Sequence, residues 1–322
     1  MQCRLCETPN PDDNLFCEGC GARIAAGGTA SSDLCACGAA LSEMDAEGFC
    51  GSCGRRVKPP DSDHIELSLL PDFAGVSDRG LRHHRNEDRF VLATAHNAYA
   101  LVVCDGVSMS PDADEAATAA VQSALEAINE GFSQPETAEI DLLRSVIRKA
   151  TQAVAELGKR RTEAPATTLV AAIVKNNRLT VGWIGDSRAY WLTGIDGTQI
   201  TRDHSWQNSP AGREANSEAQ KTADAHALTR WVGADSPDLE PEIVQQPING
   251  AGQLLLCSDG LWNYTDDTKE IAALVASANA PGADALAVCR TLVEFARTKG
   301  GHDNITAAIL RHPVSENQSH GG

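Results

Sequence analysis

The sequence of 322 residues lacks several features that would place it in common classes of protein. It has no apolar run near the roughly 18 residues that a membrane-spanning helix needs. Its first residues, MQCRLCETPN, lack the basic stretch and apolar stretch of a signal peptide. Basic residues are scarce, with 27 Lys and Arg against 44 Asp and Glu, and no basic stripe offsets the net charge of −17. These absences predict a cytoplasmic protein with no membrane and no nucleic-acid partner.

Cysteine is unevenly distributed, since eight of the eleven lie in the first 53 residues. Closely spaced cysteine pairs in a cytoplasmic chain favour metal binding over disulfides. Two sets of four suit tetrahedral Zn²⁺, and both close with similar segments, FCEGCGARI and FCGSCGRRV, which indicate an internal duplication. The first predicted zinc site consists of Cys3, Cys6, Cys17 and Cys20, and the second of Cys35, Cys37, Cys50 and Cys53.

Four thiolates leave no coordination position open, so the two predicted Zn²⁺ ions are structural. Residues 1–57 resemble the double zinc ribbon found at the ends of many bacterial and archaeal proteins, with a disulfide pair or a reactive thiol as the alternative. This segment holds four arginines and no lysine against eight acidic residues, which favours a protein partner for the ribbons. Recruitment to a nucleic-acid machine is the other interpretation, and the acidic balance argues against it.

A polar, proline-led segment, KPPDSD, begins at residue 58 and marks the end of the ribbons. We expect a linker over 58–70, a second domain over 71–312 and a disordered tail over 313–322. Paired strands separated from paired helices indicate an α+β fold for the second domain. The predicted elements are strands at 98–104 and 253–257, a hairpin at 168–184 that turns at Asn176-Asn177, and helices at 114–130, 141–158, 268–277 and 283–298.

The clearest chemical signal comes from aspartates that lie after apolar strands or in polar turns. They are Asp105 in VVCDG, Asp186 in WIGDS, Asp259 in LLCSDG, Asp88 in RNEDRF and Asp303 in GGHDNIT. Carboxylates that meet at one edge of a sheet repel one another unless cations neutralise them. With no histidine or cysteine among them, these residues favour Mg²⁺ or Mn²⁺, and two such ions can activate a water and clamp a phosphoryl group. The residues alone thus predict a carboxylate-rich divalent-metal site.

Six spaced motifs extend this prediction to a family. They are Asn86-Glu87-Asp88, Asp105-Gly106, Thr167-Thr168, Gly185-Asp186-Ser187-Arg188-Ala189-Tyr190, Asp259-Gly260-Leu261-Trp262 and Gly301-His302-Asp303-Asn304-Ile305-Thr306. In this order they resemble the metal-dependent type 2C protein phosphatases over residues 72–311. The resemblance implies a central antiparallel β-sandwich flanked by helix pairs. It also implies hydrolysis of phosphoserine or phosphothreonine in phosphorylated protein substrates, by a water bridging two Mn²⁺ or Mg²⁺ ions and without a covalent phosphoenzyme.

The resemblance assigns a role to each matching carboxylate. Asp105 would bridge the two ions, with the carbonyl of Gly106 as a further ligand. Asp259 and Asp303 would complete the binuclear centre, and Asp88 would hold a metal-bound water. The predicted catalytic residues are therefore Asp105, Asp259, Asp303 and Asp88.

Three further positions take roles from the same resemblance. Glu87 would hold metal-bound water, directly or through its neighbours. Asp186 matches the position that helps to bind a third, looser metal ion in bacterial members. Asn304 would orient Asp303 or a nearby loop, while Arg188 is expected to be structural.

The chain departs from the family pattern where an arginine usually binds the substrate phosphate, three residues before Asn86. Here that residue is His83. A protonated His83 could contact phosphate, or Arg82 or Arg85 could replace it after a shift of the loop. We predict that phosphate binding is retained. The alternative is a catalytically weak pseudophosphatase that acts as a phosphoprotein-binding or regulatory module.

Two expectations concern histidine near the site. Residue 107 is valine rather than histidine, so the proton for the leaving group must come from elsewhere or from water. The polar stretch 205–227 matches the family's mobile flap, and His204 and His226, in or near it, are expected to be surface groups. Cys104 and Cys257 lie in apolar strands and are expected to be buried core thiols.

Overall fold

The computed structural model describes residues 35, 37, 39–40, 50–53, 63–134, 136–159, 162–214, 223–265, 267–280 and 282–312. The chain divides into two compact units, Met1–Pro60 and Asp61–Gly322. The first predicted zinc site and the predicted tail at 313–322 lie outside the described residues. The second predicted zinc site and most of the second unit lie within them.

Thirteen strands are described in the second unit. They are β1 (His64–Leu70), β2 (Phe73–Asp78), β3 (Arg89–Ala95), β4 (Ala98–Cys104), β5 (Ala166–Thr167), β6 (Leu169–Lys175), β7 (Arg178–Ile184), β8 (Arg188–Thr193), β9 (Asp196–Gln199), β10 (Val232–Gly233), β11 (Glu242–Pro247), β12 (Gly252–Cys257) and β13 (Ile305–His312). Two antiparallel sheets contain eleven of them, in the orders β1-β2-β13-β12-β8-β9 and β11-β7-β6-β4-β3.

Six α-helices are described in the second unit. They are α1 (Ala113–Phe132), α2 (Glu139–Gly158), α3 (Pro210–Glu214), α4 (Asp259–Trp262), α5 (Thr268–Ala278) and α6 (Ala285–Thr298). The helices α1 and α2 pack on the five-stranded sheet, while α5 and α6 pack on the six-stranded sheet. A third apolar cluster lies between the sheets. The result is the helix–sheet–sheet–helix order that the family resemblance predicted.

Local sequence signals account for the elements that were predicted. Asn176 and Asn177 both have positive φ, 52° and 55°, as a two-residue hairpin turn between β6 and β7 requires. The helices α5 and α6 begin after Asp267 and Asp284, whose carboxylates accept hydrogen bonds from amides of the first turn. Cys104 and Cys257 are fully buried in their strands, as expected.

The linker prediction was wrong for residues 64–70, which form β1 and pair with β2. The segment alternates apolar and polar residues in IELSL, which is the pattern of a strand with one buried face. It is an edge strand and stays largely exposed, with Leu67 at 36% and Leu70 at 40%. Its low burial and the polar segment directly before it make the strand hard to distinguish from a linker in the sequence.

None of the helices in the described part of the chain combines the length and apolarity that crossing a membrane requires.

Candidate metal and active site

The predicted carboxylates come together because the strands are antiparallel. Asp105, Asp186 and Asp259 follow the C-terminal ends of β4, β7 and β12, while Asp88 and Asp303 precede the N-terminal ends of β3 and β13. The register pairs Cys104 with Arg89 and Cys257 with Ala307, so all these ends lie along one edge of the sandwich. Side chains that are far apart in the sequence therefore meet at one place.

That edge contains a cavity of about 170 Å³, which we call the acidic cavity. Four of the five predicted aspartates line it, together with the backbone at Gly106 and the hydroxyl-bearing Thr168; they are Asp105, Asp186, Asp259 and Asp303. Among the described residues, no three carboxylates place oxygens within 4.8 Å of one another, a spacing reached only by a cysteine cluster. The aspartates therefore surround the cavity and do not converge on a single point.

The threonine pair of the third motif fixes the backbone of Asp105. The carbonyl of Asp105 accepts hydrogen bonds from the Thr167 hydroxyl at 2.8 Å and the Thr168 amide at 2.7 Å. The Asp105 amide donates to the Thr168 hydroxyl at 3.1 Å. A Cβ at Gly106 would lie 2.7 Å from the carbonyl oxygen of Ala113, so this close turn requires glycine.

Asp88 lies beneath the cavity and is completely buried. Its Oδ2 accepts hydrogen bonds from the hydroxyls of Ser258 and Thr306, each at 2.7 Å. Its Oδ1 is buried and has no hydrogen-bond partner. Burial raises the pKa of Asp88 to about 6, although both hydroxyls favour the charged form.

Three of the carboxyl groups that line the cavity have raised pKa values. Burial, followed by the charges of neighbouring aspartates, raises the pKa of Asp105 and of Asp259 well above the usual value. Burial and the nearby Asp203 raise the pKa of Asp186 to about 7. A cluster of carboxyl groups whose charged forms are disfavoured by burial and mutual repulsion is a strong candidate for binding cations.

Asn304 ties the loop that precedes β3 to the cavity edge. Its side-chain oxygen accepts from the Glu87 amide at 2.7 Å, and its side-chain nitrogen donates to the carbonyls of Arg79 and Arg85. Glu87 Oε2 is buried without a hydrogen-bond partner. Two of the buried side-chain oxygens that lack partners among the described residues, on Glu87 and Asp88, belong to predicted metal-site residues.

The three candidate phosphate-binding side chains differ in their surroundings. His83 Nε2 lies 3.2 Å from Asp303 Oδ1, so this imidazole contacts a residue of the acidic cavity. Arg85 pairs with Asp114 at 2.9 Å and lies 3.6 Å from Glu87 Oε1. Arg82 is exposed. Of the three candidates, His83 has the contact that joins it to the cavity.

Arg188 has the structural role that was expected of it. It forms a two-pronged pair with Asp203, with distances of 2.9 and 2.6 Å, and its guanidinium lies 3.5 Å from the ring centroid of Trp262. The indole of Trp262 donates to the carbonyl of Asp186 at 3.0 Å. Sequence reasoning missed Asp203, whose partner is 15 residues away and carries no local signal.

The two histidines near the flap do not behave alike. His204 is buried, stacks on Trp183, and accepts at Nδ1 from the Gly185 amide at 3.0 Å, so the surface prediction was wrong for it. His226 is exposed, but it lines the acidic cavity and lies against the ring of Trp262. The flap sequence does not indicate either position, because each depends on contacts with residues distant in the sequence.

The described residues of the first unit contain one cysteine cluster. The Sγ atoms of Cys35 and Cys53 are 3.6 Å apart, as are those of Cys37 and Cys50, and all four lie within 4.8 Å of one another. Burial raises the pKa of Cys50, but amides of Ser52 and Cys53 and the neighbouring thiols outweigh it and lower that pKa to about 7. None of the four is in a disulfide.

Comparison with known proteins agrees with this geometry. Residues 80–299 match the family model described as protein phosphatase 2C. The chain is 27% identical over 246 residues to the serine/threonine phosphatase stp of Listeria monocytogenes, covering 74% of this chain and 95% of that one. It is 30% identical over 251 residues to the serine/threonine protein phosphatase PstP of Mycobacterium tuberculosis, covering 76% of this chain and 45% of that one.

A solved structure resembles the fold as well. The crystal structure of the catalytic domain of PstP in complex with two manganese ions superposes with a TM-score of 0.57 and 26% identity, covering 74% of this chain and 96% of that chain. The similarity extends over the layered second unit, and the matched protein carries two manganese ions.

Proposed function

Because this chain belongs to the protein phosphatase 2C family and is a protein serine/threonine phosphatase, we propose that it hydrolyses phosphoserine and phosphothreonine in proteins at the acidic cavity, with two Mn²⁺ or Mg²⁺ ions. The observation that carries the proposal is the group of aspartates around one cavity, where burial and mutual repulsion raise the pKa values of Asp105 and Asp259. Hydrolysis of a phosphothreonine peptide that requires Mn²⁺ tests it, and activity that persists unchanged after removal of divalent ions would contradict it.

The residues at the cavity fit such ions. Hard oxygen donors with no nitrogen or sulfur ligand among them suit Mn²⁺ and Mg²⁺. Asp105, Gly106, Asp259 and Asp303 would hold the pair, and bound cations would remove the repulsion that raises the pKa values of Asp105 and Asp259. When bound, two such ions lower the pKa of a water and stabilise the charge that develops on a phosphoryl group.

The other residues would position water and substrate. Asp88 Oδ2 is held by Ser258 and Thr306, which leaves Oδ1 to accept from a water. Glu87 Oε2 also lacks a protein partner and would act in the same way. Asp186 lines the cavity and would contribute to a third, weaker ion site.

We assign phosphate recognition to His83 in preference to Arg82 and Arg85. His83 already contacts Asp303, whereas the charge of Arg85 is met by Asp114 and Glu87. A protonated imidazole beside Asp303 would donate to a phosphate oxygen in the cavity.

His226 is our candidate for the proton donor that the family resemblance left unassigned. Replacing it with glutamine should lower kcat for a phosphothreonine peptide by about 10²-fold, the usual contribution of a general acid. The same variant should change kcat for p-nitrophenyl phosphate little, because nitrophenolate leaves without a proton. Steady-state kinetics on the two substrates provide the measurement.

Two observations would separate this role from a structural one. His96→Gln, in the turn between β3 and β4, is a control that should leave both substrates unaffected. Equal losses on the peptide and on p-nitrophenyl phosphate would show that His226 only shapes the cavity through its contact with Trp262.

For the first unit, we propose that Cys35, Cys37, Cys50 and Cys53 hold a structural Zn²⁺. Zinc–sulfur bonds of about 2.3 Å in a tetrahedron place neighbouring sulfurs about 3.8 Å apart, and the observed pairs are 3.6 Å apart. The lowered pKa of Cys50 favours the thiolate that zinc requires. By the same sequence pattern, Cys3, Cys6, Cys17 and Cys20 would hold a second ion, and the pair of ribbons would bind a protein partner.

Replacing Cys37 with serine should reduce the zinc content of the purified protein by one equivalent, because three thiolates hold the ion less tightly than four. Elemental analysis by mass spectrometry gives the stoichiometry directly. Cys289→Ser is the matched control, since that thiol lies on the buried face of α6 and contacts the carbonyl of Ala74. An unchanged zinc content in Cys37→Ser would contradict the assignment.

A further inference from the structure

A second and larger cavity adjoins the acidic one. It has a volume of about 880 Å³, within the range of cavities that bind ligands, and we call it the flank groove. Val107 and Leu228 line both cavities, so the groove begins where the acidic cavity ends. Neither the predicted metal ligands nor the predicted phosphate-binding residues line it.

The walls of the flank groove are mainly apolar. Its apolar and aromatic lining comes from the segment after Asp105, the segment before β5 and the segment before β10; the main contributors are Val107, Met109, Pro111, Ala164, Leu228 and Trp231. Among the described residues that line it, two carry carboxylates, Glu163 and Asp235, and none is a lysine or an arginine. This composition suits an apolar side chain and disfavours an acidic one.

Trp231 gives the groove a fixed aromatic surface. Its indole donates to Asp235 Oδ1 at 2.9 Å, and its amide is 3.4 Å from the Ser236 hydroxyl. Met109 is 98% exposed, which is unusual for a flexible apolar side chain next to an active site. A held aromatic ring and an adaptable methionine are the kind of surface that binds varied apolar side chains.

We propose that the flank groove binds an aliphatic or aromatic side chain of the phosphoprotein substrate, within about three residues of the phosphorylated one, and so selects substrates by their sequence. The inference rests on the proposed function, because it requires that the phosphorylated residue occupies the acidic cavity. A cavity of about 170 Å³ accommodates little beyond the phosphorylated side chain. The chain on either side must therefore leave across the neighbouring surface.

The distances suit this arrangement. An extended chain advances about 3.3–3.6 Å per residue, so three residues reach roughly 10 Å from the phosphate-bearing position. The wall shared through Val107 and Leu228 puts the groove within that reach. Continuity with the acidic cavity thus identifies the occupant as the substrate itself, and the two carboxylates add a preference against acidic neighbours.

A peptide library tests the proposal. Phosphothreonine peptides carry leucine, serine or glutamate at one position, from three residues before to three after the phosphothreonine. We expect leucine at one or more of these positions to raise kcat/KM about 10-fold over serine, chiefly through KM, since one apolar side chain in a pocket contributes about this much. Glutamate at the same position should lower it.

Variants locate the effect in the groove. Trp231→Ala and Met109→Ser should each reduce the leucine preference without changing hydrolysis of p-nitrophenyl phosphate, which has no flanking residues. Met109→Ser alters an exposed side chain, so folding is not at risk. Ile195→Ser, which is 69% exposed in the turn between β8 and β9, is the matched control and should keep the preference.

Binding of fluorescein-labelled peptides, measured in Mn²⁺ by anisotropy, separates the two hypotheses. Hydrolysis with no sequence preference would overturn the proposal that the flank groove binds substrate, and so would a preference that both groove variants retain. Either result would leave the proposed phosphatase function intact. Tighter binding of leucine peptides that is lost in Trp231→Ala, without any hydrolysis, supports the groove and overturns the proposed function. If the protein shows no sequence preference and no hydrolysis, both hypotheses are overturned.

Discussion

Asp105→Asn should reduce Mn²⁺-dependent hydrolysis of a phosphothreonine peptide by about 10³-fold or more. Asp105 is the carboxylate expected to contact both ions, and losing several kcal/mol of charge stabilisation in the transition state produces an effect of this size. Asparagine keeps the shape of the side chain, and the hydrogen bonds from Thr167 and Thr168 hold the backbone independently of the carboxylate. Steady-state kinetics in Mn²⁺, after stripping of adventitious metal, provide the measurement.

Asp196→Asn is the matched control, because that carboxylate is exposed in β9 and lies outside the acidic cavity. It should retain wild-type activity. Calorimetry should show that Mn²⁺ raises the Tm of the wild type and the control, and raises that of Asp105→Asn much less. Full activity in Asp105→Asn would exclude the binuclear site. A wild type that binds Mn²⁺ but hydrolyses no phosphopeptide would instead favour the pseudophosphatase alternative.

The elements that sequence reasoning found are those specified by local signals. The hairpin at Asn176-Asn177 depends on two adjacent residues with positive φ, and the helix α2 depends on apolar residues at helical spacing. Of the apolar residues at that spacing, Leu142, Val146, Ala150 and Val154 are buried, and Leu157 near the end of the helix is only partly buried. Edge strand β1 was missed because the strand is largely exposed and directly follows a polar segment. Its alternation of apolar and polar residues is therefore a weaker signal than that of a buried strand.

The candidate site divides in the same way. Each aspartate could be identified from its own motif, because a turn that directly follows or precedes a strand is visible over five residues. The residues that donate hydrogen bonds to these aspartates could not be identified from the sequence. Ser258 and Thr306 donate to Asp88 across 170 and 218 residues of sequence, and a serine or threonine next to a motif carries no mark of such a contact. The position of His226 at the cavity was hidden for the same reason.

The carboxyl cluster that we propose to bind metal should also govern the stability of the metal-free protein. Without Mn²⁺ or Mg²⁺, the free energy of unfolding should fall as the pH rises from about 4 to about 7. Burial raises the pKa of Asp88 from 3.8 to about 6 and the pKa of Asp186 from 3.8 to about 7. Between those values the folded protein binds more protons than the unfolded chain, so each rise in pH favours unfolding.

The size of the effect follows from the same values. A pKa raised from 3.8 to about 6 corresponds to about 3 kcal/mol for Asp88. Asp105 and Asp259 act in the same direction, because burial and their neighbours raise their pKa values too. Bound Mn²⁺ stabilises the charged carboxylates, so saturating metal should remove most of the loss. Urea unfolding between pH 4 and pH 8, with and without Mn²⁺, measures both curves.

The variant Asp186→Asn tests whether Asp186 contributes to the fall in the free energy of unfolding with rising pH. The substitution removes a carboxyl group that titrates near pH 7, so the metal-free variant should lose less stability than the wild type as the pH rises. Asp196→Asn, exposed in β9, should follow the wild-type curve. A metal-free protein whose stability is constant or rises between pH 4 and pH 7 would mean that these aspartates ionise freely in the fold. The repulsion on which the proposed cation site depends would then be absent, and with it the physical reason for placing the metal ions in the acidic cavity.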